Sequence, residues 1–146
     1  MLNTPEVPDI IANFHRLGFE PSFLARGMEG LVFDLGQDRV GKAWFSKPIE
    51  DVRLLQQFYE QLRDRPLAFL TPRICDVVEM PNGIVASIEE KLPGTPLKHF
   101  RDIRPENQSL REKAIASFAQ VVVELSMIAD VLASRELSLI SGSLLK

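Results

Sequence analysis

Near the start of the chain, Ile10, Ile11, Phe14 and Leu17 fall on one helical stripe, with Thr4 placed as N-cap, Pro5 in the first turn and Gly18 as the stop. This spacing predicts a short amphipathic helix. From Phe19 to Phe45 the period shortens. The apolar runs FLA, LVFDL and RVGKAWF are separated by GMEG and GQD, which predicts three antiparallel strands joined by tight turns. Helical spacing returns after Pro48, where Ile49, Val52, Leu55, Phe58, Tyr59 and Leu62 recur every three or four residues until RDRP breaks the pattern. ICDVVEM and GIVASIEEKL then read as two strands across Pro81-Asn82-Gly83, since Asn-Gly between β-rich runs favours a hairpin. Residues 93 to 108 hold three prolines and mixed charge, the composition of a surface connector. Ser109 and Glu112 form a capping box that opens a long helix, with an apolar stripe through Ala114, Phe118, Val121, Leu125, Ile128 and Leu132.

The fold class expected from this order is α+β: a five-stranded antiparallel sheet with one packed helix, preceded by a short helix and followed by a long amphipathic one. The chain has 146 residues, 45% hydrophobic and 25% charged, enough for one ordinary core. A net charge of −3 gives no footprint for nucleic acid or an anionic membrane. The most apolar stretch, Val121 to Leu132, is short and carries Glu124 and Asp130, and MLNTPEVPDI lacks a signal peptide's features, so a soluble protein is expected. The single cysteine, Cys75, sits among apolar residues and reads as a buried, inert thiol, which fits a reducing cytoplasm.

Candidate chemistry centres on the first turn. A loop that holds a triphosphate brings backbone N–H groups close to phosphate oxygens, which favours glycine. Ala25-Arg-Gly27-Met28-Glu29-Gly30-Leu-Val32 matches the pattern G-x-G-x-x-G-x-V with alanine for the first glycine. Glycines so spaced also serve an ordinary hairpin. Lys42 follows on the next strand, where a positive charge can pair phosphates, although a strand lysine can equally face water. Of the acids on the helix after Pro48, Asp51 has the best phase to steady Lys42, with Glu50 close behind. Both also complement the helix dipole.

Taken in order, these pieces resemble the aminoglycoside phosphotransferase and choline kinase type of small-molecule kinase, which shares the protein-kinase fold. GMEGLVFDLGQDRVGKAW resembles its nucleotide loop and lysine strand, LTPRICDVV its helix-to-strand passage, and IEEKLPGTPL its hinge. The resemblance implies an amino-terminal, nucleotide-binding lobe over residues 1–97, with residues 98–146 forming a connector and the start of an incomplete carboxy-terminal lobe. It implies ATP as ligand, with Gly27, Met28, Glu29 and Gly30 covering phosphates and Lys42 pairing them. Asp51 or Glu50 would orient Lys42, Val32 would pack on the base, and the backbone of Glu90, Lys91 and Leu92 would read the adenine edge.

The catalytic half departs from that family. Its helix runs into a strand-like H-G-D-L-x-x-x-N segment, and here Ser141 stands at the histidine and Ser143 at the aspartate. No Asp or Asn follows Asp130, so magnesium would need ligands from a missing lobe. The expected function is therefore the ATP-binding lobe of a kinase-type phosphotransferase, incomplete and without transferase activity as this chain. The alternative is a free-standing, inactive kinase-like regulatory or interaction module, with a protein partner or a second copy covering the long helix. His15 and His99 lack partners at metal-binding spacing, and Lys98, His99, Arg101 and Arg104 read as a solvated connector.

Overall fold

A computed structural model describes residues 6–94 and 108–143, with side chains of the last helix described through Ala129. The chain divides into two compact units: Met1–Pro66 with Leu70–Pro93, and Leu67–Phe69 with Gly94–Lys146.

The first unit is built on one sheet. Helix α1 (Val7–Arg16) is followed by β1 (Ser22–Arg26), β2 (Gly30–Gly36), β3 (Arg39–Trp44), α2 (Ile49–Arg63), β4 (Ile74–Glu79) and β5 (Val85–Glu90). The strands lie in the order β1-β2-β3-β5-β4, and every neighbouring pair is antiparallel. The α+β class, the element order and the five-stranded antiparallel sheet agree with the apolar periodicities.

Strand alternation gives the sheet two apolar faces. On one face α1 lays Ile10 and Phe14 against Leu31, Phe33 and Leu35 of β2, Ala43 of β3, and Ala86 and Ile88 of β5. On the other, Val52, Leu55 and Tyr59 of α2 pack with Trp44, Ile74, Val77 and Val85. The close seat of α1 depends on Gly41, where a Cβ would overlap the ring of Phe14. The β2–β3 hairpin closes through Gln37 and Asp38, both at positive φ (50° and 56°), the geometry whose twist matches the flanking strands. A 3-10 turn over Pro81–Gly83 links β4 to β5, with Gly83 at φ 73°.

Two local expectations change here. The N-cap of α1 is Glu6, which makes no side-chain capping bond, and Pro8 takes the early-turn position. Thr4 and Pro5 lie outside the described residues. Cys75 is exposed rather than buried. It sits at an irregularity in the β4–β5 register between Ile74 and Asp76, on a strand at the sheet's edge, and the offset turns it out of the apolar alternation.

The second unit contains α3 (Gln108–Ser143). It begins before Ser109, so Ser109 is a helical residue and not the cap. The helix also continues through Ser141, Gly142 and Ser143, where the resemblance implied a strand-like catalytic segment. Within this unit the amide of Ala68 donates to Glu124 (3.1 Å), which ties Leu67–Phe69 to the helix. Of the expected stripe, Ile128 is buried and Ala114 and Val121 are half-buried, whereas Phe118 and Leu125 are exposed. The side chain of Leu132 and the basic connector cluster lie outside what the structure describes. Among the described residues no helix is long and apolar enough to cross a membrane.

Candidate functional site

The loop between β1 and β2 is shaped by backbone contacts. The amide of Gly27 donates to the carbonyl of Gly30 (2.9 Å), closing the turn, and the amide of Phe45 donates to the carbonyl of Glu29 (2.9 Å), fixing the loop to the end of β3. Gly30 is required for packing, because a Cβ there would overlap the carbonyl of Ala43. Gly27 has room for one. Met28 projects almost wholly into water.

This anchoring sets Glu29 above β3. Its carboxylate accepts from Lys42 Nζ at 3.1 Å through Oε2 and lies 3.3 Å from Lys47 Nζ through Oε1. Hydrogen bonds from Lys42 and then Lys47, with their positive charges, hold the Glu29 carboxyl below the ordinary glutamate value. Lys42 Nζ lies 3.6 Å from the centroid of the Trp44 ring and Lys47 Nζ 5.0 Å, both within cation–π range. Val32 is half-buried and stands opposite Lys42 in the β2–β3 register.

The acid that steadies Lys42 is thus Glu29 of the loop and not Asp51 or Glu50 of the helix. The core-facing stripe of α2 runs through buried Val52, half-buried Leu55 and Tyr59, and buried Leu62. Asp51 shares its stripe with Leu54, which is 62% exposed. Both Asp51 and Glu50 are exposed first-turn residues, placed to complement the positive end of the helix dipole.

Under the lysines runs a buried polar chain that sequence reading missed. Trp44 Nε1–H donates to Ser87 Oγ (3.1 Å), and the Ser87 hydroxyl donates to Glu89 Oε1 (2.6 Å). Ser87 is completely buried on β5, directly opposite Lys42 in the β3–β5 register. A serine flanked by apolar strand residues was the available signal, since a buried hydroxyl needs a partner. Burial raises the Tyr59 hydroxyl's pKa above its ordinary 10.0, helped by the negative charges of Glu89 and then Glu29. Lys47 was also missed: its role follows from reaching back over Trp44, which a linear spacing does not reveal.

The expected adenine-reading segment is largely engaged in the protein itself. The Glu90 amide donates to the Arg73 carbonyl and the Lys91 amide to the Asp38 carbonyl, each at 2.9 Å. Leu92 is the position these two bonds leave. The side chains extend the same tie: Glu90 accepts from Arg73 (2.6 Å) with Arg39 at 3.5 Å, and Lys91 donates to Asp34 (2.6 Å). Arg73 first, then Arg39, lowers the Glu90 pKa, and Lys91 lowers that of Asp34.

A separate open cavity of about 480 Å³ lies between α2 and β4, lined by Gln56, Gln57, Glu60, Gln61, Arg73, Ile74 and Cys75. Its basic group, Arg73, is already paired with Glu90 and Glu60. Among the described residues no group of three or more His, Cys, Asp or Glu side chains is placed to hold a metal ion. No protein-family model matches the chain, and no curated protein matches its sequence.

Proposed function

We propose that the sheet unit is an ATP-binding lobe of kinase type, and that the residues of this chain bind the nucleotide without transferring its phosphoryl group. The observation that carries this reading is the meeting of Lys42 with the glycine-punctuated loop. A lysine on the central strand of a five-stranded sheet stands beneath a turn whose backbone is pinned to that strand, with a second lysine alongside. Two ammonium groups on one face can hold two phosphate oxygens, and the half-buried Val32 offers an apolar neighbour for a base. Leu92 supplies the backbone amide toward the adenine edge.

The test is thermal unfolding with millimolar ATP, with and without magnesium. A ligand that binds the native state raises the melting temperature. The expected result is a rise for the wild type and none for Lys42→Ala; no rise for the wild type sinks the reading.

A second reading, an inactive module that works by protein contact, is favoured by the exposed Ile115, Phe118, Val123 and Met127 on α3. A discrete dimer in sedimentation would support it, and a monomer at high concentration would count against a second copy as the cover.

A further inference from the structure

Glu29 places one carboxylate oxygen on each of two lysines, at 3.1 and 3.3 Å. Two oxygens of one anion shared between two ammonium groups is the arrangement a phosphate would make with the same pair. The carboxylate therefore stands where an anionic ligand would go. Its backbone is tied through the Phe45 amide, but its side chain is 54% exposed and has water to swing into. Displacement needs a rotation about side-chain bonds and no unfolding of the turn.

We infer that Glu29 is a built-in competitor for the Lys42–Lys47 site: every anion must displace it, so that the site takes polyphosphates and turns away ligands whose only anionic group is a single carboxylate. This rests on the phosphate reading of Lys42. A single carboxylate offers the lysines no more charge than Glu29 already does, and Glu29 is tethered, which gives it the advantage of an intramolecular partner. A di- or triphosphate brings two or more negative charges within reach of both ammonium groups. Trp44, with both cations near its ring, holds the lysines in place while the anion is exchanged. Lys42 is the better fixed of the two, its side chain 23% exposed against 39% for Lys47.

The experiment compares the wild type, Glu29→Gln and Lys42→Ala, titrated calorimetrically with tripolyphosphate and with orthophosphate at low salt. The amide removes the competing charge and keeps the side chain's size, and its exposed position leaves the fold intact, which a melting curve checks. The expected result is tighter tripolyphosphate binding by Glu29→Gln, by about two- to fivefold, the range that an exposed ion pair represents. Orthophosphate should gain by a similar factor, because both anions displace the same carboxylate, and Lys42→Ala should lose both. Equal or weaker binding by Glu29→Gln overturns the competitor while leaving the phosphate site. Absence of binding to wild type and Glu29→Gln alike overturns both. Glu29→Ala, which cannot hydrogen-bond to either lysine, should behave as the glutamine variant does; unchanged affinity in it would also overturn the competitor.

Discussion

The ring of Phe14 rests against the backbone of Gly41, so closely that no side chain fits between them. This contact sets how near α1 comes to the sheet, and it explains a glycine in a central strand, where glycine otherwise weakens the structure. Gly41→Ala should destabilise the protein by about 1–3 kcal/mol, the usual cost of forcing a methyl into a packed core. Phe14→Leu should relieve part of that cost, making the double variant less destabilised than the sum of the two singles. Urea unfolding of the four proteins measures this. Strict additivity would mean that the clash is absorbed elsewhere.

Ser87 joins Trp44 to Glu89 in the interior of the α2 face. Ser87→Ala removes the acceptor for the indole N–H and the donor to the carboxylate together, and should cost about 1–3 kcal/mol, as for other buried groups left unpaired. Trp44→Phe removes the indole donor, so the loss on Ser87→Ala should be smaller in that background. A double-mutant cycle by urea unfolding reads the difference. A coupling near zero would show that the indole–hydroxyl bond contributes nothing to stability.

The periodicities made the sheet and its two covering helices legible because burial alternates with a period of two in strands and recurs every three or four residues in helices. The ionic site was less so. The pairing of Lys42 with Glu29 spans thirteen positions and depends on Phe45 holding the loop, which no local pattern encodes. The apolar residues that follow Asp51 favour it, yet Leu54 faces water and the core stripe passes from Ile49 through Val52, one residue beyond Asp51. A hundred-degree rotation per residue separates those choices. The adenine-reading segment has two of its amides engaged for a related reason. The register of β5 brings Lys91 to the β2–β3 turn and Glu90 to Arg73, so their amides were engaged by partners distant in sequence.

Acid should unfold the sheet unit by releasing its surface carboxylates. Glu29, Asp34 and Glu90 are all held below their ordinary values of 4.5, 3.8 and 4.5, so each contributes stability that is present above those values and lost as pH falls through the lower folded ones. The melting temperature should therefore decline from about pH 5 downward. Glu90→Gln should show a shallower decline, and added salt should flatten both by screening the pairs. An unchanged slope in Glu90→Gln would mean that Arg73 and Arg39 do not hold that carboxylate in solution.

Tyr59 is the chain's single tyrosine, so its phenolate absorbance reports one site without interference. Burial is the main cause of its raised pKa, followed by Glu89 and then Glu29. The hydroxyl should titrate above 10.0 in the folded protein. Because the raised value belongs to the folded state, its contribution to stability is present below the ordinary tyrosine value and is lost as pH rises through the folded one. Glu89→Gln should lower the midpoint more than Glu29→Gln, and neither should return it to the ordinary value, since the desolvation by α2 and the sheet remains. A spectrophotometric titration of the three proteins, with far-ultraviolet dichroism confirming the fold across the range, measures the order. A larger effect from Glu29 than from Glu89 would place the Lys42 clasp nearer the tyrosine than the Ser87 chain is, and would reverse the electrostatic arrangement described for this face.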